Sequence, residues 1–272
     1  MAKAVAKSNP KTNAVSEKVP DFLKDYSGEG TENTSDLVVV PRIKLLQALS
    51  PEVSEGDEKA GNYWHTIAEE SLGAEIRMTP LFISKSVVLW RPRKSGGGIL
   101  ARADDAIHWD RPNQEFEVKL DSGKTVTWNT GASVQASGLQ QFGSSDPEDE
   151  NSKPAATLNI NIVSWFPDFP EYSPAIVSLS KASLPVGKKF VSKLGISRLP
   201  SWGRVFMMSS TKNDHASGTF HDYKFEAVGV IDQDDAAEMR EMYQYFRTKG
   251  VAIKDAEDMQ NDEEDTVKED KF

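Results

Sequence analysis

The chain has 272 residues, 38 % of them hydrophobic and 27 % charged. That length can bury a substantial core in one large domain or two small ones, while the low apolar share implies that part of the chain stays unpacked. It contains no cysteine, which excludes a disulfide scaffold, thiolate metal sites and a cysteine nucleophile. No apolar run approaches the roughly 18 residues of a membrane span. The N-terminus lacks the apolar run of a signal peptide, so a cytoplasmic protein is expected.

The net charge of −10 needs to be divided before it is used. Residues 231–272 hold 14 acidic and 6 basic residues, a net of −8, so the other 230 residues carry only −2. Within those, residues 76–103 carry Arg77, Lys85, Arg91, Arg93, Lys94 and Arg102 and no acid. Residues 172–213 carry Lys181, Lys188, Lys189, Lys193, Arg198, Arg204 and Lys212, again with no acid. Two basic segments thus share a chain with an acidic tail, and it is the placement of charge that a polyanion feels.

Residues 1–36 are polar, with little apolar periodicity, and read as a disordered arm. The first apolar cluster begins at Leu37 and is broken by Pro41, which predicts a short strand or extended segment leading into a turn of helix. Residues 50–62 read as a polar loop. From Glu75 the pattern turns to β, with strands predicted at 76–83 and 86–91 around Ser84-Lys85. Residues 115–120 and 124–128 flank Asp121-Ser-Gly and form a hairpin. Residues 157–165 alternate as a half-buried strand does. The segments 175–180, 203–209 and 219–231 complete the strands, and 143–156 is an exposed loop.

Two helices are expected. Residues 183–194 have Ser183 as N-cap and Pro185 in the first turn, with Phe190, Val191 and Leu194 inward and Lys188, Lys189 and Lys193 outward. Residues 233–248 begin acidic and then repeat Met239, Met242, Tyr243 and Phe246 at helical spacing. After Gly250 the chain is an acidic tail. The division is therefore an arm (1–36), a β-rich domain (37–250) and a tail (251–272).

Phosphate-loop, dinucleotide and nucleophile-elbow patterns are absent. Gly96-Gly-Gly reads as a hairpin tip, and Asp214-His215 with His221-Asp222 lacks the spaced third ligand set that a metal site needs. No catalytic residue, metal or cofactor is expected. More informative are the aromatics beside bases of the chain: Trp90 before Arg91-Pro-Arg93-Lys94, and Trp202 before Gly-Arg204. Unstacked bases offer π-faces to such rings while Lys and Arg follow the phosphates. The competing reading for each tryptophan is a place in the core. The candidate nucleic-acid set is Lys85, Trp90, Arg91, Arg93, Lys94, Arg102, Lys181, Lys188, Lys189, Lys193, Arg198, Trp202 and Arg204. In the tail, Asp262, Glu263, Glu264, Asp265, Glu269 and Asp270 precede a terminal Phe272, which suits an apolar pocket with a basic rim on a partner.

The acidic terminus ending in Phe272 resembles the tails of bacterial and phage single-stranded DNA-binding proteins. The runs Val38-Val-Val-Pro-Arg-Ile-Lys-Leu-Leu-Gln, Leu179-Ser-Lys-Ala-Ser-Leu-Pro-Val-Gly-Lys-Lys-Phe and Pro200-Ser-Trp are similar to runs in large families of phage proteins. Lys271 departs from an uninterrupted acidic end, and no proline precedes Phe272. The resemblance implies a mainly β fold, an OB-type barrel with insertions and a few helices. It also implies binding and protection of single-stranded DNA in phage replication and recombination, in the host cytoplasm, as a possible homo-oligomer. The tail would then recruit replication or recombination proteins. The alternatives are a phage structural or virion-associated protein and, more weakly, a metal-dependent nuclease.

Overall fold

A computed structural model of the chain describes residues 41–215 and 218–250. The expected arm and tail lie outside the described residues. The fold is mainly β with a few helices.

The frame is a six-stranded antiparallel sheet. It is built from β4 (Glu75–Trp90), β5 (Ile99–Ala103), β8 (Ala156–Trp165), β9 (Ala175–Ser180), β10 (Arg204–His215) and β11 (Gly218–Val230). Its strands run in the order β11-β10-β4-β8-β9, with β5 paired to the far end of β4. After two single turns of helix, α1 (Pro51–Ser54) and α2 (Val134–Ser137), a longer helix, α3 (Leu184–Gly195), lies in sequence between β9 and β10. With β5 left aside and numbering from β4, the strands lie in the order third-second-first-fourth-fifth, with a helix after the third.

No backbone ladder closes the sheet into a barrel among the described residues. A small sheet of β1 (Ile43–Leu45), β2 (Tyr63–His65) and β3 (Glu70–Gly73) stands at the seam instead. On one side Arg42 forms a parallel bridge with Ile176 of β9, whose N–H donates to the Pro41 carbonyl at 2.8 Å. On the other side the Gln47 amide acts like a peptide group. Its Nε2 donates to the His221 carbonyl at 2.9 Å, and its Oε1 accepts from the His221 N–H at 2.8 Å. Two backbone groups on the β11 edge are satisfied in this way without a strand beside them.

Ser84-Lys85 makes no break. The expected pair 76–83 and 86–91 is one 16-residue strand, because Ser84 and Lys85 pair with Asn161 and Ile160 of β8 without interruption. The irregularity falls earlier. Between Pro80 and Phe82 the ladder slips, and the extra residue, Leu81, turns to the opposite face.

Three apolar cores result. The first fills the α3 side of the sheet, with Ile76, Met78, Ile160, Ile162, Phe206 and Phe225 packed under Phe190 of α3 and against Ile43 and Tyr63. The second lies beyond the end of β4, in a long insertion between β4 and β8. That insertion contains β5, the hairpin of β6 (Glu115–Lys119) and β7 (Thr125–Asn129), and a helical turn, Val134–Ser137. Val87, Leu89, Trp109, Val118 and Trp128 meet there. The third core is on the opposite face, where α4 (Ala236–Lys249) lays Met239 and Phe246 on Leu81, Val163 and Ile176.

Next to that apolar strip the same face becomes polar in two rows. Ser84, Asn161 and Ser178 are cross-strand neighbours, and so are Ser86, Asn159 and Ser180. Asn161 is buried. Its Nδ2 donates to Ser86 Oγ at 2.9 Å and its Oδ1 accepts from Ser178 Oγ at 2.8 Å, so the buried polar groups satisfy one another.

Candidate nucleic-acid interface

The second basic segment becomes α3 and its flanks. Lys181 ends β9 in a left-handed conformation, and Pro185 occupies the first helical turn. Ser183 holds the N-cap position, but its side chain makes no capping bond. Gly187 lets the helix come close to the sheet, since a Cβ there would meet Ile160 Cδ1 at 3.1 Å and Leu179 Cβ at 3.2 Å. Phe190 then wedges between Phe206 and Phe225, with ring centroids at 4.9 and 4.4 Å. The apolar side is thereby committed, and Lys188, Lys189 and Lys193 are left exposed.

A cleft of about 280 Å³ separates α3 from β11. Lys189 and Lys193, one helical turn apart, stand on one wall, and Lys224 and Glu226 on the other, joined by an ion pair of 2.9 Å. Phe190, Tyr223 and Phe225 line the cleft as well, and the Tyr223 and Phe225 rings are parallel within 3°. Burial pushes the Tyr223 phenol up to about 12. Lys85 lies opposite Ile160, which places it on the α3 side of the sheet. Lys224 escaped the sequence reading because the run Tyr-Lys-Phe-Glu carries no net charge. Only the packing of α3 against β11 reveals it.

The first basic segment sits elsewhere, where β4 leaves the sheet. Trp90 is half-buried opposite Ile99, and Arg91, Arg93 and Lys94 follow on an exposed turn. That turn is pinned to the β6–β7 hairpin. Lys94 Nζ donates to the Asp121 carbonyl, and Ser95 Oγ donates to the Lys119 carbonyl at 3.0 Å. Residues 104–155 of the insertion carry ten acids and four bases, so Arg91, Arg93 and Lys94 stand at the margin of an acidic module. Arg102 is 13 % exposed and paired with Asp104 at 3.1 Å. Arg198 is exposed and Arg204 half-buried at the start of β10. Trp202, in a short turn before β10, packs against the α4 core. Lys189, Lys193 and Lys224 therefore line one cleft at the β11 edge, and Lys85 lies on the α3 side of the sheet, while Arg91, Arg93 and Lys94 form a separate group.

Among the described residues no three His, Asp or Glu side chains are grouped to hold a metal ion. His221 and Asp222 are successive residues of one strand and point to opposite faces. No described helix is long and apolar enough to cross a membrane.

Residues 10–252 match the family of Pam3 phage gp34-like proteins. The chain belongs to that family. It is a phage protein, and the match spans the whole β-rich domain. Neither a curated protein nor a solved structure matches it.

Proposed function

We propose that this phage protein binds single-stranded DNA with little sequence preference, protects it during replication and recombination, and catalyses no reaction. The cleft between α3 and β11 carries the reading. Three lysines border an aromatic lining on a sheet of OB strand order, and that combination suits a flexible polyanion whose bases are free to stack. The turn bearing Arg91, Arg93 and Lys94 extends from β4 where an OB protein has its first ligand-contacting loop, which gives a second group of cations for the strand to follow. In this reading the tail residues Asp262–Asp270 and Phe272 recruit replication or recombination proteins.

The test is a fluorescence titration with labelled oligo-dT at several salt concentrations. Each neutralised phosphate adds about −0.7 to the log–log slope for single strands. Replacing Lys189, Lys193 and Lys224 together by Ala is expected to flatten that slope by about 2 and to weaken binding at low salt. Unchanged slope and affinity in a folded variant remove the cleft from the site. Absence of binding by the wild type at low salt overturns the function and favours a structural role in the virion.

A further inference from the structure

The cleft between α3 and β11 holds one side chain of the wrong sign for a polyanion. Among the described residues that line it, Glu226 is the one acid, beside Lys189, Lys193 and Lys224. The Glu226 side chain is 60 % exposed and that of Lys224 51 %, so burial fixes neither. With one residue between them on β11, the two project to the same side of the strand. Lys224 Nζ stands 2.9 Å from Glu226 Oε1, and Oε2 has no donor among the described residues. A carboxylate here repels the phosphates that the lysines attract, so it keeps the backbone of a bound strand on the lysine wall. What it can accept is a hydrogen bond, because a carboxylate is acceptor-only. Every unpaired base offers an N–H on its Watson–Crick edge, at N3 of thymine, N4 of cytosine, N6 of adenine, and N1 and N2 of guanine.

We infer that Glu226 accepts an N–H from the edge of an unpaired base, through the oxygen that Lys224 leaves open, while the lysines hold phosphates. Lys224 can serve both, since an ammonium has three donors. Glu226 is then a specificity residue of an unusual kind. It selects no sequence, because each base has a donor to give. It does select single strands, because in a duplex the ring N–H groups of thymine and guanine are occupied by pairing. The inference rests on the proposed binding of single-stranded DNA and assigns one residue's part in it.

The test compares oligo-dT with an N3-methylthymidine oligonucleotide of equal length. Thymine has its single N–H at N3, and the methyl group removes it without changing the phosphate charge or covering the ring faces. Fluorescence titrations at one salt concentration give the ratio of the two Kd values. The wild type is expected to favour oligo-dT by about tenfold, and Glu226→Ala to bring the ratio close to one. Lys224, released from its ion pair in that variant, meets the phosphates of both strands alike and leaves the ratio unchanged. If Glu226 acts only as a negative charge, Glu226→Ala tightens both strands together and keeps the wild-type ratio, which overturns the assignment. A wild-type ratio of one overturns it as well, with the binding of single strands left standing. Failure of the wild type to bind either strand at low salt is a different result, and it overturns the DNA-binding reading itself.

Discussion

Asn161 is a polar residue in the middle of a sheet, 1 % exposed, and its amide bridges two serines on the neighbouring strands. Amide and hydroxyl groups cost little when buried in mutual hydrogen bonds and much when one partner is removed. Asn161→Ala strands Ser86 and Ser178, and is expected to destabilise the domain by about 1–3 kcal/mol. A urea denaturation midpoint measures it, and no change would mean that the serines find other partners. Gln47 is the second residue whose role is a backbone role. Its amide takes both the N–H and the C=O of His221, so at the seam one side chain does what a strand does elsewhere.

The two tryptophans proposed for base stacking part company at the level of elements. Trp202 is held in its short turn against α4, near Met239 and Phe246, and the Ser201 hydroxyl beside it donates to the Leu81 carbonyl at 3.3 Å. Removing a large packed side chain leaves a cavity, so Trp202→Ala is expected to cost about 3 kcal/mol of stability. Trp90 belongs to none of the three cores and sits next to Arg91 on the turn leaving β4. Trp90→Ala is expected to keep the fold and to lose about 1–3 kcal/mol of affinity for oligo-dT. Thermal melts and titrations of both variants decide between the assignments. The reverse pattern, with Trp90 structural and Trp202 binding, would refute them. The close approach of α3 has its own cause in Gly187, where a larger side chain would press on Ile160 and Leu179 and lift the lysines away from β11.

Across the whole molecule, charge is segregated. Bases gather in residues 76–103 and 172–213, acids in residues 104–155 and 255–272. The latter hold nine acids and two lysines, a net of −7. If a polyanion is the ligand, the tail competes with it for the same cations. A protein truncated after Lys254 is then expected to bind oligo-dT more tightly, with the gain shrinking as salt shortens the screening length to about 10 Å near 0.1 M. Equal affinity of both forms at every salt concentration would confine the tail to solubility or to partner contacts. Removing Phe272 alone leaves most of that charge in place and isolates the second possibility.

Local pattern was sufficient for much of this protein. Alternation located β8, the Asp121-Ser-Gly turn located the β6–β7 hairpin, a capping Ser and Pro185 located α3, helical spacing located α4, and acid-free runs marked both basic segments, because each signal depends on neighbours a few residues apart. Such signals could not show that Ser84-Lys85 continues a strand, since a polar pair inside β4 is explained only by Asn161 and Ile160 across the ladder. The short strands β1, β2 and β3 carry too few residues for a period, and they form because the seam between β9 and β11 needs covering. The candidate cleft is likewise a product of packing. Lys189 and Lys193 are 31 and more residues from Lys224 in the chain, and only Phe190, seated between Phe206 and Phe225, brings their walls together.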